Sequence, residues 1–180
     1  MSAGPIVRSY WVRDGQLMAG PYPGSIDATE AQEKLRLLLD AGVRAFLDLT
    51  EDDETNLTGQ LVLRYQELLR AIAEERGDSV YALRFPYLDM SVPEPAFMVD
   101  ILDAIDDHIA AGRAVYVHCR GGLGRTGTVV GCWLARHGHA VGDEALDTIQ
   151  RLRQGDEHWL PDSPQTFEQC DFVRTWPCGR

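Results

Sequence analysis

Two rhythms of apolar spacing alternate along the chain. Short apolar blocks at Gln16–Ala19, Val43–Leu49, Val80–Phe85 and Ala114–Cys119 are bounded by glycine, proline or polar residues, and they predict strands. Between them, apolar residues recur at helical spacing. Leu35, Leu38 and Leu39 share one face of a helix over Ile26–Ala41, which Asp27 and Glu30 open as a capping box and Gly42 stops. Leu61, Tyr65, Leu68, Leu69 and Ile72 form the inner stripe of a helix over Thr58–Arg76. Phe97, Ile101, Leu102, Ile105 and Ile109 do the same over Pro95–Ala111. Thr126–His137 is apolar almost all round, as a central buried helix is. Two further helices are predicted over Asp143–Arg153 and Pro164–Arg174. Alternating strands and helices predict one α/β domain spanning residues 1–180, with a central, mostly parallel sheet of four to five strands flanked by helices.

Composition narrows the function more than the fold. The net charge of −11 argues against a broad surface for nucleic acid or an anionic membrane. An anionic ligand would have to be captured by a local concentration of donors. No segment has the length and apolarity of a membrane span, and the amino terminus lacks a basic stretch followed by an apolar run, so a cytoplasmic protein is expected. The four cysteines, Cys119, Cys132, Cys170 and Cys178, show no zinc-ligand spacing, and neither a metal nor another cofactor is expected. Cys132 falls in the apolar helix and reads as core.

The chemistry concentrates in "VYVHCRGGLGRTG". A strand ends at Cys119, a glycine-rich loop follows, and a helix begins near Arg125. Glycines at 121, 122 and 124 let successive N–H groups turn toward one point, and the helix adds its positive end. Amides, a helix N-terminus and a guanidinium together suit a doubly charged tetrahedral oxyanion, and phosphate fits. Thiols beside cations or helix N-termini ionise readily, so Cys119 is expected to serve as a thiolate nucleophile in that cradle.

"HCRGGLGRTG" resembles the H-C-x5-R-[ST]-G signature of the cysteine-based protein tyrosine phosphatase superfamily. The resemblance implies that Cys119 attacks phosphorus and that Arg125 clamps the phosphate oxygens. It gives Thr126 the task of assisting the thiolate, and backbone from Arg120 through Gly121, Gly122, Leu123 and Gly124 to Arg125 the task of binding the phosphate. His118 would orient the loop, although a satisfied core histidine accounts for it equally well. Asp89, in "FPYLDMSVP", lies four residues ahead of Pro93 and is similar to the family's mobile acid loop, which makes it the general acid. The Trp-Pro pair of the large tyrosine-specific members is replaced here by Tyr87 and Leu88. "SPQTFEQCDF" resembles the family's glutamine loop, so Gln165 and Gln169 would position the hydrolytic water. The competing reading is a plain helix start, with Ser163 as cap and Glu168 and Gln169 exposed.

The chain lacks the tyrosine loop that deepens the pocket of the large enzymes and resembles compact dual-specificity members. The implied substrate is a phosphorylated protein, through phosphotyrosine and by extension phosphoserine or phosphothreonine. Two alternatives remain at this stage: a catalytically silent phosphate-binding module, and a phosphoinositide phosphatase. The second is disfavoured because only Arg120 adds charge inside the loop. The acidic run Thr50–Thr55 is read as a solvated loop near the rim.

Overall fold

The computed structural model describes residues 3–55, 64–153 and 162–180. Within these, five strands form one sheet in the order β1-β2-β5-β3-β4. They are β1 (Tyr10–Arg13), β2 (Leu17–Gly20), β3 (Val43–Asp48), β4 (Tyr81–Arg84) and β5 (Ala114–His118). All neighbouring pairs are parallel except β1 against β2. Six helices accompany them: α1 (Ala28–Asp40), α2 (Gln66–Arg76), α3 (Pro95–Ala110), α4 (Gly124–Arg136), α5 (Asp143–Arg153) and α6 (Phe167–Thr175).

Side chains on successive strand residues point to opposite faces, and each face builds its own core. From β5, Val115 and Val117 join Leu47, Ile101, Val130 and Trp133 on the side of α3 to α6. Tyr116 points the other way, to Met18, Phe46, Leu38, Leu69 and Ile72 beneath α1 and α2. Every residue of β5 is buried, as expected of a central parallel strand covered on both faces.

The prediction of four to five strands holds, with β1 the element that sequence periodicity did not reveal. Four residues with a register irregularity between Trp11 and Arg13 leave too little alternation to read. Helix α1 starts two residues later than expected. Asp27 does cap it, accepting from Thr29 N (2.8 Å), but Glu30 turns to Ser25 and Lys34 instead of completing the box. The predicted start of the second helix, Thr58 to Leu63, lies outside the described residues; α2 begins at Gln66, with Tyr65 as its N-cap.

Register decides where the chemistry can gather. Gly20 pairs with His118, His118 with Asp48, and Asp48 with Arg84, so four parallel strands end at one edge. Ligands of open α/β sheets bind beyond such an edge.

Candidate active site

The loop after β5 carries Cys119, which is 3% exposed, and runs directly into α4. Among the described residues, the amide N–H groups of Arg120, Gly121, Gly122 and Leu123 have no acceptor, so these donors of the loop that follows Cys119 remain available. Gly122 adopts φ +71°, and a Cβ there would stand 2.4 Å from the carbonyl carbon of Gly20. The loop therefore seats against the end of β2, where Tyr22 N donates to Arg120 O (3.1 Å). Gly124 serves differently. A Cβ on it would come within 3.0 Å of the Gln169 amide and 3.1 Å of Gln165 Oε1. Neither Gly121 nor Gly124 has a positive φ, so the expectation that all three glycines carry the turn reduces to Gly122, and Gly124 is required only by the close approach of the glutamines.

Arg125 is wholly buried yet strongly tied. Nη1 donates to Leu49 O (3.0 Å), Tyr87 O (3.1 Å) and Glu54 Oε1; Nη2 donates to Glu54 Oε2 (2.9 Å) and lies 3.2 Å from Asp89 Oδ1. Burial works against its charge, but the Glu54 carboxylate, with Cys119 and Asp89, more than compensates and raises its proton affinity above that of a free arginine. Among the described residues its buried Nε has no partner, and neither has Thr126 Oγ1, the next side chain along. A buried donor without an acceptor costs about 1–3 kcal/mol, so both atoms mark places where a ligand or a reacting group would restore a bond.

Glu54 was not anticipated: its segment was expected to be a solvated loop. Instead Thr50 N and Oγ1 donate to Asp48 Oδ1 (2.9 and 2.6 Å), Arg84 Nη2 donates to Thr50 O (2.8 Å), and Glu51 N donates to Glu54 Oε1 (2.9 Å). These bonds curl the segment so that Glu54, only 9% exposed at its side chain, faces Arg125, while Asp52 and Asp53 stay exposed. With 28 acidic residues in the chain, charge alone could not single it out.

Asp89 follows β4 as expected and lies against both loop arginines, 3.2 Å from Arg125 Nη2 and 3.5 Å from Arg120 Nη2. Its carboxylate is about one-third exposed, and Leu88 and Met90 beside it point to solvent. Tyr87 Oη braces the loop from beneath, donating to Arg125 O (3.2 Å); burial keeps this phenol protonated well past its ordinary range.

At the opposite wall, Gln169 is fully buried, not exposed. Its Nε2 donates to Ser91 O (3.0 Å) and its Oε1 accepts from Gln165 N and Thr166 N (3.1 and 3.2 Å). The cap of α6 is Thr166, in a reciprocal box with Gln169. Ser163 is no cap; its hydroxyl donates to Leu123 O (2.7 Å) and holds the glycine loop. Gln165 itself is exposed, with its Oε1 near Gly124.

His118, the last residue of β5, is fully buried. Its Nδ1 faces two acceptors, which assigns the ring proton to Nδ1 and leaves Nε2 to accept from Tyr65 Oη (2.7 Å), a phenol that burial keeps protonated. The two acceptors are Cys119 O at 3.4 Å and Asp48 Oδ1 at 3.9 Å. Burial pushes the His118 pKa down despite Asp48, keeping the ring neutral.

The family model for the "Polymorphic toxin system, DSP-PTPase phosphatase" matches residues 22–139, about two-thirds of the chain. The chain belongs to this phosphatase family. It is 31% identical over 131 residues to protein 067L of Invertebrate iridescent virus 3, a tyrosine phosphatase by name, covering 71% of this chain and 45% of the viral one. The chain thus spans less than half of that relative. Among solved structures, a mutant form of Tk-PTP is 28% identical with a TM-score of 0.65, covering 89% of each chain. PTPMT1 in complex with PI(5)P shares the phosphatase fold at 23% identity and a TM-score of 0.68, covering 94% of each chain.

Proposed function

We propose that this phosphatase-family chain hydrolyses phosphotyrosine in proteins through a phosphocysteine on Cys119. The observation that carries the reading is the set of unspent donors in the segment that follows the nearly buried Cys119 thiol: four loop amides and the buried Nε of Arg125.

Glu54 holds the Nη1–Nη2 edge of Arg125, leaving Nε and the flank of Nη2 for two phosphate oxygens. Asp89 Oδ1 occupies part of that flank at 3.2 Å. An arriving phosphate dianion displaces it, and the freed carboxyl, carrying a proton, moves toward the leaving oxygen. Cys119 Sγ then attacks phosphorus. The S–P bond forms, the P–O bond to the tyrosine breaks, and the departing oxygen takes the Asp89 proton. In the second step water attacks the phosphocysteine and returns its proton to Asp89. The S–P bond breaks, with Thr126 Oγ1 donating to the reforming thiolate, and inorganic phosphate leaves. Gln169, anchored against Gly124, sets the position of that water, with Gln165 beside it at the rim.

The test is turnover of p-nitrophenyl phosphate and of a phosphotyrosine peptide by the native chain and by Cys119→Ser. Full loss in the variant is expected; undiminished turnover would eliminate Cys119 as nucleophile. Assaying phosphoserine and phosphothreonine peptides alongside sets the breadth of specificity. One specific observation favours a second reading, a phosphoinositide substrate: the fold shared with PTPMT1 in complex with PI(5)P. Faster hydrolysis of PI(5)P in vesicles than of any phosphopeptide would establish it.

A further inference from the structure

A groove of about 500 Å³ opens beside the phosphate loop, large enough for several ligand side chains. Arg120 forms its inner end, and Tyr22, Lys34, Arg8, Val7 and Ile26 line it outward. Of its three cations, Lys34 pairs with Glu30, which also accepts from Ser25 Oγ (2.6 Å), and Arg120 lies 3.5 Å from Asp89, so the positive charge in excess is that of Arg8. In a chain of net charge −11 this is a local inversion of sign.

The outer end is built deliberately. Ser9 N donates to Ile6 O (3.0 Å), Ser9 Oγ donates to Ile6 O (2.7 Å) and Ile6 N donates to Ser9 Oγ (3.1 Å), closing a turn whose anchor, Ser9, is buried. The turn forces Arg8 to φ +64°, a conformation that non-glycine residues adopt at a cost, and such cost is typically carried at functional sites. It presents Arg8 without an ion-pair partner among the described residues, next to Val7 at 62% exposure. Ile26, 59% exposed, stands on the same groove.

We infer that this groove is a peptide subsite that reads acidic side chains flanking the phosphorylated residue, with Arg8 as its specificity-determining cation. The inference rests on the phosphatase reading above and extends it from the phosphate to its neighbours. An extended peptide sends successive side chains to alternate sides, so it can use both the cations of the lining and its exposed apolar residues Val7 and Ile26, which a compact anionic headgroup would not.

The experiment uses two phosphotyrosine peptides, one with glutamates on either side of the phosphotyrosine and one with glutamines. Their binding is measured to the substrate-trapping chain Cys119→Ser, with and without Arg8→Asn, and their kcat/KM with and without Arg8→Asn alone. Asparagine tolerates the left-handed backbone, so the turn is kept while the charge is lost. An exposed ion pair contributes about 0.2–1 kcal/mol, so the acidic peptide should be preferred by about 1.4- to fivefold at low salt. Arg8→Asn should abolish the preference, leave p-nitrophenyl phosphate turnover as it was, and match the effect of raised salt. Equal binding of the two peptides, or a preference that survives Arg8→Asn, would overturn the inference. So would an Arg8-dependent gain on phosphoinositide vesicles without one on peptides. Failure of the native chain to turn over p-nitrophenyl phosphate would instead sink the phosphatase reading, and the binding arm would still decide the groove.

Discussion

Replacing Glu54 by glutamine removes a charge and little else, because the amide is nearly isosteric. Both of its oxygens meet Arg125, whose side chain is fully buried, and Glu54 is itself 9% exposed. Removing one member of a buried ion pair typically costs about 3–5 kcal/mol when the other is left uncompensated. Here Arg125 keeps two carbonyls, Leu49 O and Tyr87 O, and the Asp89 carboxylate at 3.2 Å. The expected loss is therefore smaller, about 1–3 kcal/mol, which lowers Tm by roughly 2–4 °C per kcal/mol in a domain of this size. Activity should suffer more than stability. Without its anchored edge the guanidinium no longer presents Nε and Nη2 in one orientation, and misplacement on that scale costs on the order of tenfold to hundredfold in kcat/KM. The assay is thermal denaturation together with p-nitrophenyl phosphate kinetics and inhibition by inorganic phosphate. A different result would refute the reasoning. If Glu54 merely competed with phosphate for Arg125, Glu54→Gln would bind phosphate more tightly and turn over faster.

Three further outcomes follow from the same geometry. Gly122→Ala places a Cβ 2.4 Å from Gly20 at φ +71°, and should lower stability by about 2–4 kcal/mol in a denaturant titration; a change under 0.5 kcal/mol would mean the loop does not bear on β2. His118 has a pKa lowered chiefly by burial, so it stays neutral in the fold while the unfolded chain takes up a proton near pH 6.5. Its contribution to stability is complete above that pH and is lost as pH falls toward the folded value. His118→Gln should flatten the stability slope between pH 7 and 5, leaving the part that comes from His108 and His139, whose pKa values burial also lowers. Gln169→Ala should slow steady-state turnover by about tenfold to hundredfold while a rapid first-turnover burst persists, since phosphoenzyme forms but loses its positioned water; it also breaks the α6 capping box, worth about 1 kcal/mol in a melt. Loss of the burst itself would move Gln169 into the first step.

Local signals made the frame of the site legible. The strand ending at Cys119 and the helix holding Arg125 announce themselves through apolar blocks separated by glycines, and Asp89 through its place after β4. Gln169 was singled out only through its motif: polarity suggests exposure, whereas the fold buries it by giving both ends of its amide a backbone partner. Glu54 was not legible. Its position depends on Asp48, Thr50 and Arg84, which meet only once β3 and β4 are paired in register. The same holds for Arg8, whose conformation is set by a serine one residue away that no periodicity marks. Residues defined by their own element are visible in sequence; those defined by convergence of loops from several strands are not.

The two-step route through Cys119 is tested most directly by quenching the reaction in acid and locating the phosphoryl group by mass spectrometry. Gln169→Ala is the form to use, since it should accumulate the intermediate. A single phosphoryl group on the peptide containing Cys119, absent from Cys119→Ser, is the predicted result. Continued release of inorganic phosphate with no phosphoryl group on that cysteine, in either form, would contradict it.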